Sequence, residues 1–483
     1  MPQIASREQR SGATMVRQFT FSHIGLLTRI VRVQPGQLNA VEATLRAQAG
    51  VRSVGRTGYR RSKLSVTAPY FTNDPYFVGY GPGAPLYESS PSPGQWDKHA
   101  VRLEYAFAYS QAGNGSNKVN ANALGSSSVK IAIIDTGEDS THPELSSKIA
   151  YQKCFITDAS GNAQSSSNFE TDPDGHGTDV SGIAAAATNN SLGFAGSGGA
   201  ASIYAYRVFP TPDDNCTNES TNDPQCGAST GDIASSIEDA VSQGVNVISM
   251  SLGGDTCTGT DPDPTEGNAI ADAIAANIIV VAAAGNNATE GVSAPGCDTG
   301  VIAAGATGLA DGQTNGTGNA TGSSSAPNEY VASYSQYGSP GASLNSASAW
   351  GIVAPGGDPN GDMDGDDLHW IENIWTSTPY MANSNDTSFQ GSCTPDHDST
   401  SGTIDCRTLI AGTSMSTPAV AGAAALILAV NSAYQSPAAM KTLLCQTADD
   451  IGDSHEGCGR LDIYRAMATA IGDSSPPGAR TTP

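Results

Sequence analysis

Apolar runs of strand length alternate with helix-length segments between residues 129 and 306, and this alternation strongly constrains the fold. The run Val129–Ile134 is apolar nearly throughout rather than at every second residue, which is typical of a parallel strand buried on both faces. Alternating strands and helices require crossover connections, so the sequence predicts an α/β fold with a doubly wound parallel sheet. Further strands are predicted at Ser202–Val208, Val245–Ser249, Ile278–Ala283 and Val301–Ala306, and helices at Ile233–Gln243 and Asn268–Ala276.

A separate small α+β unit is predicted over residues 21–68, ahead of this alternating region. Thr28–Val33 has the alternation of a strand and Leu38–Gln48 the apolar spacing of an amphipathic helix. Val51–Leu64 then indicates a second strand or a hairpin.

The remaining boundaries follow from composition. Residues 69–95 are rich in Pro, Gly, Ser and Tyr, which predicts a linker and the start of the larger domain. That domain is predicted to cover residues 96–471, followed by a disordered Ser/Pro-rich tail at residues 472–483.

Charge is divided unevenly between the two parts of the chain. Residues 1–70 hold 11 Lys and Arg against two acids, whereas residues 71–483 hold 12 against 45. The excess negative charge of residues 71–483 repels nucleic acid and anionic membranes. It favours cations or a basic partner, such as the first 70 residues. Because no apolar run approaches the roughly 20 residues needed to cross a bilayer, we expect no membrane span.

The nine cysteines are compatible with four local disulfides and one free thiol, Cys154. Spacing alone does not prove connectivity, so buried free thiols remain an alternative. Disulfides would place the protein in an oxidising compartment, secreted or periplasmic, although residues 1–20 lack the apolar core of a signal peptide. The pairs suggested by spacing are Cys216–Cys226, Cys257–Cys297, Cys393–Cys406 and Cys445–Cys458.

Four polar side chains stand at the ends of predicted elements, where active sites of open α/β sheets form. Asp135 ends an apolar strand, His176 lies between two glycines before an Ala-rich helix, and Ser414 precedes another helix. A serine hydroxyl needs an imidazole to take its proton, and the imidazole needs a carboxylate to orient it. Asn286, directly after a buried strand, could supply an oxyanion donor together with the Ser414 N–H. Taken singly, each residue is as well explained as a helix cap or a turn residue.

Five blocks of sequence resemble, in their order along the chain, the subtilisin family of serine peptidases of the bacterial secreted type. The resemblance extends over roughly Asn73 to Ala470. The blocks are Val129–Leu145 (VKIAIIDTGEDSTHPEL), Asp174–Phe194 (DGHGTDVSGIAAAATNNSLGF), Ser249–Gly254 (SMSLGG), Val280–Asn286 (VVAAAGN) and Gly412–Gly422 (GTSMSTPAVAG). The resemblance implies that Asp135, His176 and Ser414 are the catalytic triad and that Asn286 is the oxyanion residue. It also implies substrate-binding positions at Ser251, Leu252, Gly253, Ala284 and Gly285. Asp179 departs from the family, whose members usually carry a second His there.

The resemblance also suggests a role for the N-terminal unit. Many members carry an N-terminal propeptide that assists folding and blocks the cleft in cis until it is removed, and residues 21–68 look like such a segment. An ordinary accessory domain is the alternative.

Two calcium sites are predicted. Hard cations prefer clustered oxygen ligands, and such side chains crowd the stretch from residue 358, although a solvated acidic loop is the alternative. Glu144 and Asn190 match positions that help to bind structural calcium in several members of the family. The candidate calcium ligands in the stretch from residue 358 are Asp358, Asn360, Asp362, Asp364 and Asp366.

The sequence therefore predicts a monomeric serine endopeptidase that acts on proteins or peptides. A catalytically silent binding protein and a peptide ligase or cyclase on the same site are the two alternatives.

Overall fold

The computed structural model describes residues 13–21, 26–47, 51–52, 54, 69–78, 95–111, 124–157, 163–164, 172, 174–209, 227–310, 328–339, 344–359, 370–374, 407–473 and 476–479. The chain divides into two compact units, Met1–Lys63 and Leu64–Pro483.

The N-terminal unit contains a hairpin and a helix. Strand β1 (Thr14–Phe21) pairs antiparallel with β2 (Leu26–Arg32), and α1 (Leu38–Arg46) follows a short 3-10 turn. β2 and α1 correspond to the predicted strand and helix, whereas β1 was not predicted. The strand or hairpin predicted at Val51–Leu64 lies almost entirely outside the described residues.

The larger unit is built on a mostly parallel sheet of eight strands in the order β13-β12-β10-β8-β3-β7-β4, with β14 also paired to β12. Only the β12–β13 pair in this sheet is antiparallel among the described residues. The strands of this unit are β3 (Lys130–Asp135), β4 (Ile149–Cys154), β5 (Ile156–Thr157), β6 (Ala163–Gln164), β7 (Ser202–Arg207), β8 (Val247–Met250), β9 (Thr256–Cys257), β10 (Ile279–Ala283), β11 (Val292–Ser293), β12 (Ile302–Ala310), β13 (Asn328–Val331), β14 (Gly351–Pro355), β15 (Ile371–Ile374) and β16 (Arg407–Ile410).

Helices cover both faces of this sheet. They are α2 (Pro75–Val78), α3 (Trp96–Ala100), α4 (Leu103–Gln111), α5 (His176–Ala185), α6 (Thr230–Ser242), α7 (Pro264–Ala275), α8 (Thr413–Val430), α9 (Pro437–Thr447) and α10 (Ile463–Ala470).

Each central strand contributes to two cores, because successive side chains point to opposite faces. In β3, Ile131 and Ile133 belong to the core that contains α8, whereas Ala132 and Ile134 belong to the core that contains apolar residues of α6 and α7. Burial on both faces explains why the strand is apolar almost throughout. The predicted doubly wound α/β fold is confirmed.

Helix α8 crosses the first of these cores. Within the described ranges it is the one helix long and apolar enough to span a membrane, with a mean hydropathy of 1.6 over 18 residues. Since 83% of it is buried inside the protein, it packs as a central core helix.

Two of the four suggested disulfides are confirmed. Cys257 is bonded to Cys297 and Cys445 to Cys458, and Cys154 is a free thiol. The other two suggested pairs fall outside the described residues.

Candidate active site

The carboxyl ends of three adjacent strands bring distant parts of the chain to one edge of the sheet. Asp135 is the last residue of β3, Ser251 follows β8, and Asn286 lies three residues beyond β10. These strands are parallel neighbours, so their ends meet at the same edge. Helices α5 and α8 begin there too, with His176 and Thr413 as their first residues.

His176 and Asp135 form a close pair at this edge. The His176 Nδ1 lies 2.7 Å from the Asp135 Oδ1, and the Asp135 carboxylate is fully buried while the imidazole is 23% exposed. The Thr136 backbone N–H donates to the same Asp135 oxygen at 2.8 Å. The carboxylate therefore fixes the imidazole with Nδ1 as the protonated nitrogen, which leaves Nε2 to act as a base.

Electrostatics at His176 favour the charged imidazolium. Burial alone would lower the pKa of His176, but the charge of Asp135 and their hydrogen bond raise it by more, so the net shift is upward. Asp174 adds to this rise and also accepts a hydrogen bond from the His176 backbone N–H at 3.2 Å. A raised pKa is what stabilisation of a transient imidazolium requires.

Asp179, the departure from the family pattern, lies fully buried on α5. Burial raises the pKa of its carboxyl well above the usual range. Asp179 contributes less to the raised pKa of His176 than Asp135 does, so Asp135 is the main determinant of the charge on His176.

Asp172 was missed by sequence reasoning and holds the loop that carries His176. One of its oxygens accepts hydrogen bonds from the Thr136 hydroxyl (2.9 Å) and the Gly175 backbone N–H (2.9 Å). The other accepts from the backbone N–H (2.9 Å) and hydroxyl (2.8 Å) of Thr178. Asp172 thus ties the residue after Asp135 to both sides of His176. The sequence signal that could have identified Asp172 is its position two residues before the Asp174–Phe194 block.

Gly177 allows α5 to approach the loop after β3, because a Cβ at this position would lie 1.9 Å from the Gly137 carbonyl oxygen. Such a distance is far inside van der Waals contact, and this approach is what brings His176 to Asp135.

Ser414 is joined to the strand end after β8 by two hydrogen bonds. Its hydroxyl donates to the Ser251 carbonyl at 3.2 Å, and the Ser251 hydroxyl donates to the Ser414 carbonyl at 2.8 Å. Helix α8 begins at Thr413, earlier than the sequence indicated, so Ser414 lies in its first turn. The Ser414 backbone N–H is therefore among those without an intrahelical acceptor.

Asn286 is oriented by Thr413. Its side-chain oxygen accepts from the Thr413 backbone N–H (3.0 Å) and hydroxyl (2.8 Å), which assigns the other end of the amide as Nδ2. A Cβ at Gly412 would lie 3.6 Å from the Ser414 backbone nitrogen and 3.7 Å from the Asn286 Nδ2. Both donors thus flank the same space beside Gly412, as an oxyanion site requires.

The other predicted substrate-binding positions differ in exposure. Leu252 and Gly253 line a cavity beside the strand end, and the Gly285 backbone N–H donates to the Thr413 hydroxyl at 3.3 Å. Ala284 is fully buried in a small cluster with Val292 and is not at the surface.

The residues expected at the second calcium site meet away from this edge. The Asn190 Nδ2 donates to the Glu144 Oε2 at 3.1 Å, while the Glu144 Oε1 is buried without a hydrogen-bond partner. Burial and the charge of Asp74 raise the pKa of Glu144 to about 8. Asp74, which sequence reasoning did not include, accepts from the Asn190 backbone N–H at 3.0 Å.

Of the acidic stretch proposed as the other calcium site, only Asp358 falls within the described residues. Its two oxygens accept hydrogen bonds from the Ser333 backbone N–H (2.6 Å) and hydroxyl (2.9 Å). The described part of the chain holds no group of three or more His, Cys, Asp and Glu side chains arranged for a metal ion. Asn360, Asp362, Asp364 and Asp366 lie outside the described residues.

A doubly wound sheet with an aspartate–histidine pair and a helix-start serine at its carboxyl edge has the layout of a serine hydrolase. The model of the Subtilase family matches residues 126–459, which is more than half of the chain. The chain therefore belongs to the subtilase family of serine peptidases.

Named relatives agree with this assignment. Halolysin of Haloferax mediterranei is 31% identical over 358 residues, covering 72% of this chain and 51% of its own, so the chain spans about half the length of that relative. Thermitase of Thermoactinomyces vulgaris is 28% identical, covering 82% of this chain and 99% of its own. A solved protease structure from Pseudoalteromonas arctica PAMC 21717 has a TM-score of 0.56 and 25% identity, covering 83% of this chain and 99% of its own.

Proposed function

We propose that the protein is a serine endopeptidase that hydrolyses internal peptide bonds of proteins through an acyl-enzyme on Ser414. The observation that carries the proposal is the 2.7 Å hydrogen bond between His176 and the buried Asp135, at the same sheet edge as Ser414. Membership of the subtilase family supports it.

In the first half-reaction the Ser414 Oγ attacks the scissile carbonyl carbon, and His176 Nε2 takes the hydroxyl proton. Asp135 holds the imidazole in the correct tautomer and stabilises its charge. Collapse of the tetrahedral intermediate breaks the C–N bond, and His176 returns the proton to the departing amine. Water then enters, gives a proton to His176 and releases the acyl group from Ser414 by the same steps.

The negative oxygen of the intermediate would be stabilised beside Gly412. The Ser414 backbone N–H and the Asn286 Nδ2 face this space, and the start of α8 favours negative charge there. Because Thr413 already orients the Asn286 amide, little reorganisation is needed as the charge forms.

Labelling and cleavage assays test the proposal. The purified protein should react with a fluorophosphonate probe and cleave a denatured protein mixture. Ser414→Ala should abolish both, because the loss of the nucleophile in subtilisin costs about a millionfold in turnover. A matched control is Ser432→Ala, at a surface turn after α8. Cleavage by purified Ser414→Ala at the wild-type rate would refute the assignment.

The same assays separate the two alternatives. A silent binding protein would bind peptides without reacting with the probe. A ligase or cyclase would transfer the acyl group to an added amine nucleophile in preference to water, so the products formed with and without the amine distinguish it from a hydrolase.

We further propose that Glu144, Asn190 and Asp74 help to hold a structural calcium ion. Support comes from the unpartnered Glu144 oxygen and from the burial of the Glu144 and Asp74 carboxyl groups, whose mutual repulsion a cation would relieve. Calcium accepts amide and backbone carbonyl oxygens as well as carboxylates, so two acids suffice within a larger ligand set.

Residues 21–68 are proposed to be a propeptide that blocks the cleft in cis, with residues 69–95 leading into the peptidase domain at 96–471. The basic charge of residues 1–70, opposite in sign to the acidic charge of residues 71–483, supports this proposal.

The two disulfides support a secreted or periplasmic location.

A further inference from the structure

A cavity of about 470 Å³ lies beside the strand end that follows β8. Leu252, Gly253 and Gly254 form one wall, and residues at the start of α6 and α7 form the other. The described residues that line it include four carboxylates and no Lys, Arg or His: Asp255, Asp261, Asp263 and Glu266.

Glu266 is the least satisfied of these acids. It is only 5% exposed, and its buried Oε1 has no hydrogen-bond partner in the described part of the chain. Burial first, and then the charges of Asp261, Asp298 and Asp263, raise its pKa to about 8. A buried carboxyl among other acids needs a compensating cation to ionise.

Two of the other lining acids, Asp261 and Asp263, are held by hydrogen bonds. Asp263 accepts from the Thr265 backbone N–H (2.7 Å) and the Thr230 hydroxyl (2.7 Å), which lower its pKa and keep it ionised. The Asp261 Oδ1 accepts from the Asp263 backbone N–H at 2.7 Å. The side chains of Asp261 and Asp298 lie against each other, and a hydrogen bond between them requires a shared proton. These contacts hold Asp261 and Asp263 in place beside Glu266.

The cavity is within reach of a substrate bound at Ser414. The Ser414 hydroxyl contacts the Ser251 carbonyl, and Gly254 lies three residues further along. An extended chain advances about 3.3 Å per residue, so a peptide running from Ser414 beside this segment reaches the cavity about two to four residues from the scissile bond. Gly253 and Gly254 are exposed, which leaves that path open among the described residues.

We propose that this cavity is a specificity pocket for a cationic side chain, lysine or arginine, of the peptide substrate, with Glu266 and Asp261 as its binding carboxylates. The inference rests on the proposed peptidase function and adds the substrate class. An organic cation fits better than a bare metal ion, because the cavity has room for a side chain. Pockets of this size commonly bind through a few convergent polar groups.

Peptides that differ at one residue test the pocket. All peptides of the series share one scissile bond. Each peptide carries one test residue, which is Lys, Arg, Gln or norleucine. The test residue stands at one of the positions from four residues before that bond to four residues after it. We expect kcat/KM for Lys and Arg to exceed that for Gln and norleucine by about tenfold or more at one position, as a hydrogen bond to a charged group implies. Norleucine keeps the length of lysine without its charge.

Variants then assign the preference to these residues. Glu266→Gln with Asp261→Asn should remove the Lys and Arg preference, so that kcat/KM for the Lys and Arg peptides falls to that for the Gln peptide measured on the same variant. Asp272→Asn is the matched control, because Asp272 lies exposed on α7 and does not line the cavity. A preference that persists in the double variant would overturn the assignment.

Failure of the pocket is distinguishable from failure of the peptidase. Hydrolysis of the whole series with no Lys or Arg preference at any position would overturn the pocket and leave the proposed function standing. If no peptide is hydrolysed, the proposed function fails. The pocket is then tested by measuring how tightly the protein binds the Lys and Gln peptides, and equal affinity for the two would overturn the pocket. Calcium-dependent melting that Glu266→Gln abolishes, without a Lys preference, would identify a metal site instead.

Discussion

The side-chain oxygen of Asn286 accepts two hydrogen bonds from Thr413, one from its backbone N–H at 3.0 Å and one from its hydroxyl at 2.8 Å. Thr413 is the first residue of α8 and immediately precedes Ser414. The same helix start therefore positions the proposed nucleophile and orients the proposed side-chain oxyanion donor.

Replacing Asn286 by Ala should lower kcat by roughly 10²–10³ with little change in KM, as loss of this donor does in subtilisin. Thr413→Val, which removes only the hydroxyl, should lower kcat by a smaller factor. In the double variant the Thr413 change should add little, because its effect acts through Asn286. Steady-state kinetics on one peptide would check this, and fully multiplicative effects would contradict it.

Replacing Asp135 by Asn should lower kcat by about 10⁴, the cost of the corresponding change in a serine peptidase of another fold. It should also change the pH profile. The charge of Asp135 raises the pKa of His176, and a base must be neutral to act, so activity rises as pH increases through that pKa. Without the carboxylate this rise should move to lower pH. An unshifted profile of kcat/KM would argue against the pairing.

Replacing Asp172 by Ala should reduce kcat by about 10- to 100-fold, because a small displacement of a catalytic group has costs of this order. KM should change little, since Asp172 positions the His176 loop and is not expected to contact substrate. Partial recovery by Asp172→Asn, which keeps one oxygen acceptor, would separate positioning from general damage. A rise in KM with unchanged kcat would contradict this role.

Chelation of calcium should lower the melting temperature, and Glu144→Gln should remove part of this response. A ligand that binds only the native state adds about 2.7 kcal/mol at a hundredfold excess over Kd. Asp272→Asn serves as a surface control. Melting curves that coincide with calcium and with chelator would remove the proposed site.

The pH dependence of the chelated protein is a separate expectation. The folded pKa of Glu144 is about 8, against 4.5 ordinarily, so the folded state binds the proton more tightly. The contribution of Glu144 to stability is therefore fully present below pH 4.5 and is lost as pH rises towards 8. Glu144→Gln should reduce this slope in chelator.

A peptide of residues 21–68 added to the mature enzyme should inhibit it, with an inhibition constant that rises with salt. Basic residues in this segment and the acidic body attract each other, and salt screens such contacts beyond about 10 Å at 0.1 M. Replacing Arg52, Arg56, Arg60 and Arg61 by Gln should flatten the dependence. Inhibition that is indifferent to salt would show that the charge asymmetry plays no part, and absence of inhibition would refute the propeptide role.

Local pattern in the sequence was sufficient to predict the five central strands of the sheet, β3, β7, β8, β10 and β12, and to propose the principal site residues. Strands such as β3 are apolar nearly throughout because both of their faces are buried, and this property is visible in a single segment. Asp135 and Asn286 were identifiable because each stands at or just beyond such a run.

Contacts between distant segments had to come from the tertiary structure. The positioning role of Asp172 depends on its hydrogen bond to Thr136, 36 residues earlier, and that of Asp74 depends on its contact with Asn190, 116 residues later. The role of Gly177 depends on a carbonyl 40 residues away in the chain. The acidic cavity likewise needs the crossovers of the doubly wound sheet to place the first turns of α6 and α7 beside residues 252–254. A hydrogen bond or a cavity is defined by positions in space, and one sequence specifies those positions only after the sheet has assembled.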